Sequence, residues 1–377
     1  MITPGRVEIA GAGLAGLTVA ATLAQRGWSV RVHERGPELR EIGAGIVLWG
    51  NALRSLAHIG AYDAVVAEAE RVDNAQLMDH RHRVIQRDWL QSGEMFIAVR
   101  RQLHRAIADA ALKSGVEVVT NSLVTGANPD GTLYLADGSS VSADLVIGAD
   151  GVNSVVRNSL DLGLQVRNLR DGCGRHLIPR TADDPVNGTF EEWHGGRRFG
   201  LLPASPELTY IFLCCPESDV EGIQQQPFNR ETWLRDYPQY RSQLERIPDV
   251  PEGRWAPFYD VTTSGWHKGR AAIIGDAAHA MSPNLGQAAA VAMTNGVALG
   301  QALSRWDVPT ALDRWEESER PIAKRVQRYS RIYGRMGTGW PQPLLDARSA
   351  LVWSLAASKT VQRRINFANE YEPSLAG

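Results

Sequence analysis

Glycines at 11, 13 and 16 form a Gly-x-Gly-x-x-Gly loop that can close on a phosphate. Gly11 permits a tight turn, Gly13 lets backbone approach a pyrophosphate, and Gly16 lets a helix pack close to a strand. A helix starting there adds unpaired N–H groups and the positive end of its dipole. Glu34 ends the next apolar run, where a carboxylate can accept hydrogen bonds from ribose hydroxyls. Its charge disfavours a 2′-phosphate, so this loop suits FAD or NAD rather than NADP. A second segment, Gly275-Asp276-Ala277-Ala278-His279, follows the apolar run AAII and leads to Pro283, Gly286 and Gln287. An aspartate at the end of a strand can bind the ribityl hydroxyls of a flavin, and small residues beyond it admit a flat ring. That favours FAD, with an ordinary helix-capping aspartate as the alternative. Between them lies Gly148-Ala149-Asp150-Gly151. Its aspartate could equally be a turn residue, with Arg157 pairing to it and bracing the turn.

The elements needed to position these residues can be read from periodicity. Val7–Ala10 reads as a strand, the Ala/Leu-rich stretch through Gln25 as a helix, and Trp28–His33 as a second strand: a βαβ unit. Further helices are expected around Leu53, Leu56 and Ile59 and over Val99–Leu112, with a strand at Val116–Val119. Thr132–Leu135 and Ser140–Ser142 flank Asp137-Gly138 as a hairpin, and Leu145–Ile147 is a buried strand running into the middle motif. From 165 to 262, turn signals bracket alternating runs, Thr209–Cys215 most clearly, which predicts an antiparallel sheet. Ala271–Ile274 returns to the nucleotide fold, and helices are expected over 286–304, 310–334 and 343–368.

The predicted fold is α/β: a Rossmann-like FAD-binding domain interleaved with an antiparallel-sheet substrate domain, plus C-terminal helices. The FAD-binding domain is assigned to 1–75, 98–164 and 263–335. The substrate domain takes an excursion at 76–97 and the block 165–262, and 336–377 forms the helical end.

Composition limits the alternatives. A chain of 377 residues exceeds one ordinary core. Forty basic residues against 42 acidic ones, a net charge of −2, give no reason to expect nucleic acid or an anionic membrane as partner. Residues 277–304 carry no formal charge, but His279, Pro283, Asn284, Gln287, Asn295 and Gln301 argue against a membrane span. Cys173, Cys214 and Cys215 have no metal-ligand spacing, so no metal site and no disulfide framework is expected. No basic stretch followed by an apolar run opens the sequence, so no secretory signal is expected and a cytoplasmic location is.

The chain resembles the FAD-dependent aromatic hydroxylases of the p-hydroxybenzoate and salicylate hydroxylase type. The likeness rests on GAGLAG (11–16), GADG (148–151) and GDAAHAMSPNLGQ (275–287), in that order. It implies a noncovalent FAD, NADH or NADPH as transient reductant, molecular oxygen, and a flavin C4a-hydroperoxide that hydroxylates an electron-rich ring. The cofactor residues expected are Gly11, Gly13, Ala15, Gly16, Glu34, Arg35, Arg100, Asp150, Asp276, Pro283, Gly286 and Gln287. Arg100 matches through an Arg-x-x-Leu pattern ending at Leu103, with a solvated arginine at a helix start as the alternative.

Within that family the likeness is strongest to the hydroxypyridine carboxylic acid oxygenases of the 2-methyl-3-hydroxypyridine-5-carboxylate type, through GAGIVLWGNALRSL (43–56). It carries over three substrate positions: Arg198, Tyr210 and Tyr259. A hairpin of 198–202 with 208–214 around PASPE sets Arg198 opposite Phe212, on the face shared by Tyr210. An arginine beside a tyrosine there would hold a planar, anionic, hydroxylated ring. The alternatives are a solvated arginine beside Arg197, a core tyrosine at 210, and interface packing for Tyr259. Val47 stands where a related hydroxynicotinate enzyme has histidine, and Ala288 replaces a usual glycine. His279 belongs to the flavin motif and is a weak candidate acid or base.

The activity expected is oxygen insertion into a small hydroxylated aromatic or N-heteroaromatic carboxylic acid by a monomer or homodimer. Ring opening of a hydroxypyridine carboxylate is an alternative outcome. A flavin reductase or halogenase on the same fold is another, although the halogenase Trp-x-Trp-x-Ile signature is missing. A non-enzymatic nucleotide sensor has only Ala288 in its favour.

Overall fold

The apolar run Arg6–Ala10 lies inside a six-stranded sheet, flanked by Leu145–Gly148 and Ser29–His33, both parallel to it. In the computed structural model, which describes residues 4–39, 43–87 and 94–373, Ala271–Ile273 extends that parallel set beside Leu145–Gly148, and Glu117–Val119 closes the other side. Three sequence-distant strands thus end side by side, carrying Gly11, Asp150 and Asp276 to one edge. This is where open parallel sheets bind ligands. The helix Leu14–Ala24 covers the sheet with nine buried residues, and Ala288–Leu303 packs against it.

The second sheet has seven strands, in the order Ala256–Thr263, Gly163–Pro179, Leu208–Pro216, Arg197–Pro203, Gly188–His194, Asn74–Met78 and Val84–Arg87. All neighbours are antiparallel except Gly188–His194 with Asn74–Met78. Residues 88–93, part of the 76–97 excursion, lie outside the described residues. Strand alternation sorts the sheet's two faces. Phe199, Ile211 and Leu213 face a core completed by Trp233, Tyr237 and Leu244 from the helical segment beneath. Leu202, Tyr210 and Phe212 turn the other way, toward a small sheet of Gly45–Trp49, Met95–Val99 and Glu70–Val72.

Two expectations need correction. Arg198 pairs with Cys214, and Gly200 takes the place opposite Phe212. The hairpin closes through Pro203↔Thr209, so the register moves by two residues. A two-residue shift keeps every side chain on its face, so Arg198 and Tyr210 still share one. The C-terminal segment predicted as one helix is two, Leu345–Ala357 and Lys359–Ile365. Between them Ser358 is extended (φ −86°, ψ 106°), and its hydroxyl caps the second helix by accepting from Val361 N–H. The preceding helix, Val308–Gly337, buries Leu312, Trp315, Glu319, Ala323 and Val326 at three- and four-residue intervals.

Candidate active site

The glycine loop is closed at two of its glycines and open at the third. Gly11 adopts φ +99°, and a Cβ there would sit 2.5 Å from the Ala149 carbonyl oxygen. Gly16 has no room either, because a Cβ would run into the Gly11 carbonyl. Gly13 differs: nothing lies within 4 Å of the Cβ it lacks. It precedes Leu14, the first residue of the helix, so the open space faces the helix N-terminus. Glu34 accepts from the backbone N–H of Ala12 at 3.1 Å and of Gly36 at 2.8 Å, which holds its carboxylate beside the loop. Arg35, the next residue, is exposed.

Asp150 caps the helix Val155–Ser159, accepting from Val155 N–H at 2.8 Å through one oxygen. Its other oxygen, Oδ1, is buried without a hydrogen-bond partner, as expected of a group that meets a bound cofactor. Arg157 does not pair with it. The guanidinium donates instead to the carbonyls of Val152 (2.9 Å) and Ala277 (3.0 Å), tying the middle motif to the last one. Asp276 begins a short helix just after Gly275, whose missing Cβ would sit 2.8 Å from Ala15 Cβ. Ala15 is therefore against the second motif, as a shared cofactor site requires.

Pro283 opens a single turn, Pro283–Leu285, which ends at Gly286 in the left-handed region (φ +64°). A Cβ on Gly286 would lie 3.0 Å from Val47 Cβ, and Trp49 Nε1–H donates to the Leu285 carbonyl at 3.1 Å. Gln287 is held by Asn51 at 3.0 Å and donates to Asn369 of the C-terminal tail. Arg100 opens the helix Arg100–Lys113. Its N–H bonds the Ala44 carbonyl at 2.8 Å, and its side chain packs against Gly43. His279 is buried against Trp266, ring centroids 5.2 Å apart, and burial lowers its pKa to about 4. A neutral packed imidazole is a poor proton donor there.

Tyr210 is buried over Gly45, at which a Cβ would collide with its ring. Arg175 reaches it from the adjacent strand, where Arg175 is opposite Phe212 and Leu177 is opposite Tyr210. Burial pushes the Tyr210 phenol above its usual pKa, opposed by this guanidinium. Among the described residues no carboxylate pairs with Arg175, and its guanidinium lies 5.8 Å from the Phe258 ring centroid. Motif reading missed Arg175. Continuing the alternation from Tyr210 and Phe212 to the partner strand would have exposed it.

Arg198 has a different environment. It is 1% exposed and donates to Asn284 Oδ1 (2.7 Å), Thr338 Oγ1 (3.0 Å) and Asp171 Oδ2 (3.3 Å), with Glu191 3.7 Å away. Its charge is met within the protein. Burial lifts the Asp171 and Glu191 carboxyls above their usual range, and Arg198 opposes that. Tyr259 is half-buried on the outer strand, opposite Asn168. That strand bonds the flavin-side segment through Val261 N–H and the Ala280 carbonyl, 3.0 Å. Among the described residues there is no group of acidic, histidine or cysteine side chains able to hold a metal, and no helix long and apolar enough to cross a membrane.

The family model of an FAD binding domain matches residues 5–330. The chain belongs to the class A flavoprotein hydroxylases. It is an FAD-dependent monooxygenase of the aromatic hydroxylase type, with NADH or NADPH as the reductant typical of that family. It is 34% identical to 2-heptyl-3-hydroxy-4(1H)-quinolone synthase of Mycobacteroides abscessus, over 96% of this chain and 99% of that one. It is 30% identical to 3-amino-4-hydroxybenzoate 2-monooxygenase PtnB3 of Streptomyces platensis, over 87% of each. Among solved structures, a 2-methyl-3-hydroxypyridine-5-carboxylic acid oxygenase superposes with a TM-score of 0.88, at 32% identity and 98% coverage of both chains.

Proposed function

We propose that this flavoprotein hydroxylase inserts one oxygen atom into the ring of a 4-quinolone, at the carbon beside the ring carbonyl. The observation that carries this reading is the state of Arg198: Asp171 and Asn284 already take its guanidinium, so it is no free anchor for a substrate carboxylate. The identity to a quinolone synthase over 96% of the chain supports the same ring.

FAD, reduced by NADH or NADPH, supplies activated oxygen when bound; one oxygen atom enters the ring and the other leaves as water. The residues that would hold it are those of the three motifs, with Gly13 leaving room for the pyrophosphate and Asp150 Oδ1 awaiting a partner. The protein's part in the chemistry falls to Arg175 and Tyr210. A 4-quinolone is a vinylogous amide, so its ring nitrogen's lone pair already places negative charge on the carbonyl oxygen and makes the neighbouring carbon nucleophilic. The proton which that carbon loses on oxygen insertion passes to water. Arg175 and Tyr210 would receive the carbonyl oxygen, and a preorganised cation in a dry site favours the charged form. Phe258, on the strand tied to the flavin side, packs against Phe212 and would close the ring cavity. Leu202, Phe212 and Val47 offer the ring apolar surface and exclude water.

One observation favours a second reading, a hydroxypyridine carboxylate that is hydroxylated or opened. Arg175, with no acidic partner among the described residues, could take a carboxylate directly. The test is a panel of 2-alkyl-4-quinolones, hydroxypyridine carboxylates and aminohydroxybenzoates, scored by substrate-stimulated NAD(P)H oxidation and by product mass. A gain of one oxygen atom on a quinolone supports the first reading; turnover confined to the acids overturns it.

A further inference from the structure

A cleft lies where the C-terminal helices meet the substrate sheet. Its wall includes Leu77, Trp193, Leu285, Tyr333, Met336 and Val352, and it encloses about 100 Å³, a narrow volume suited to a slender group. The polar side chains around it are the amides of Gln86, Gln362 and Asn366 and the phenols of Tyr329 and Tyr333; among the described residues no charged side chain lines it. The Tyr333 hydroxyl already donates to Glu191 Oε2 at 2.8 Å, so its ring is what it offers the cleft.

We infer that this cleft is the subsite for a straight saturated tail carried by the ring substrate, the 2-alkyl chain of a quinolone; the inference rests on the quinolone reading above. The shared turn at Leu285 is the main argument. Leu285, at the inner end, sits between Asn284, which holds Arg198, and Gly286, which packs on Val47. Its own carbonyl is taken by Trp49. Trp193 stands opposite Arg198 across the strand pair. The cleft therefore touches the turn that would border the flavin, through Leu285, and the rest of its wall is mostly apolar. Beside it the Arg198 guanidinium is already met by Asp171 and Glu191, so it does not draw an anion in. What fits is a chain that gains from leaving water.

Each methylene buried adds about three- to fourfold in affinity. With FAD-loaded enzyme, kcat/KM should climb by that factor per carbon from 2-methyl- through 2-heptyl-4-quinolone. Two variants narrow the cleft from its half-buried side, Ala356→Trp and Ile365→Trp. In each, KM for the heptyl compound should rise about tenfold or more, while KM for the methyl compound changes less than twofold. Retained FAD absorbance shows that the variants are folded. Chain-length-independent kcat/KM in the unaltered enzyme, or equal KM changes for both compounds in both variants, overturns the inference and leaves quinolone hydroxylation standing. Failure of every quinolone, with turnover of a hydroxypyridine acid, removes the quinolone reading and the tail subsite together.

Discussion

Arg198 donates to the amide oxygen of Asn284 at 2.7 Å, and this bond joins the substrate sheet to the turn that would border the flavin ring. The same guanidinium faces Asp171 at 3.3 Å and Glu191 at 3.7 Å in a place without solvent. Removing one member of a buried ion cluster strands the others. Arg198→Met should therefore lower stability by about 3–5 kcal/mol, measured as loss of denaturation free energy. A variant of unchanged stability whose KM for an acidic substrate rises more than tenfold would restore Arg198 as a substrate anchor.

Arg175 and Tyr210 make the opposite prediction, a loss of chemistry with little loss of fold. Without an acidic partner among the described residues, Arg175→Met strands no carboxylate. If the guanidinium stabilises charge on the substrate oxygen, kcat for hydroxylation should fall on the order of 100-fold. NAD(P)H oxidation without product should rise as a share of turnover. Tyr210→Phe should lose less, on the order of tenfold. The ratio of product formed to NAD(P)H consumed is the deciding measurement; a KM effect alone would mean binding without activation.

The glycine loop allows a test that separates folding from cofactor binding. A side chain at Gly16 would strike backbone, whereas one at Gly13 enters open space at an ordinary φ of −76°. Gly13→Val should leave the apoprotein within about 1 kcal/mol of its original stability. It should weaken FAD binding on the order of 100-fold, because the methyls occupy the pyrophosphate's place. Flavin fluorescence titration checks this, and tight FAD binding by the variant would mean that the cofactor lies elsewhere.

The three motifs were legible because each needs a residue type that local backbone geometry enforces: φ +99° at Gly11, φ +64° at Gly286, and a polar cap at Asp150. The face shared by Arg198 and Tyr210 could also be read, since a period of two survives a two-residue error in register. What the sequence alone could not supply was the company each residue keeps. Arg198 looks like a ligand anchor until Asp171 and Glu191, on two other strands, are seen to meet it. Arg175 carries no motif and gains meaning only from its partner strand. The break at Ser358 was hidden because apolar periodicity continues through it, while the serine's capping bond is a local choice that periodicity does not record.

Glu319 links pH to the C-terminal tail. It is 1% exposed on the long helix, accepts from Asn295 Nδ2 at 2.8 Å and is bonded by the Tyr371 hydroxyl. Burial, opposed by those bonds, raises its pKa from 4.5 to about 7. Between those values the folded chain keeps a proton that the unfolded chain releases, so stability is greater at low pH and is lost as pH rises toward 7. Fully expressed, the loss is about 3 kcal/mol. Glu319→Gln mimics the protonated side chain, so the stability difference between variant and parent should grow from near zero below about pH 4 to its full size above pH 7. The tail it anchors also reaches Gln287 through Asn369 and Arg54 through the carbonyls of Asn369 and Tyr371. FAD retention in the parent should therefore weaken as pH rises through about 7, where the folded carboxyl gives up its proton, and stay level in the variant. Parallel stability curves for the two proteins from pH 5 to 8 would show that Glu319 does not titrate in this range.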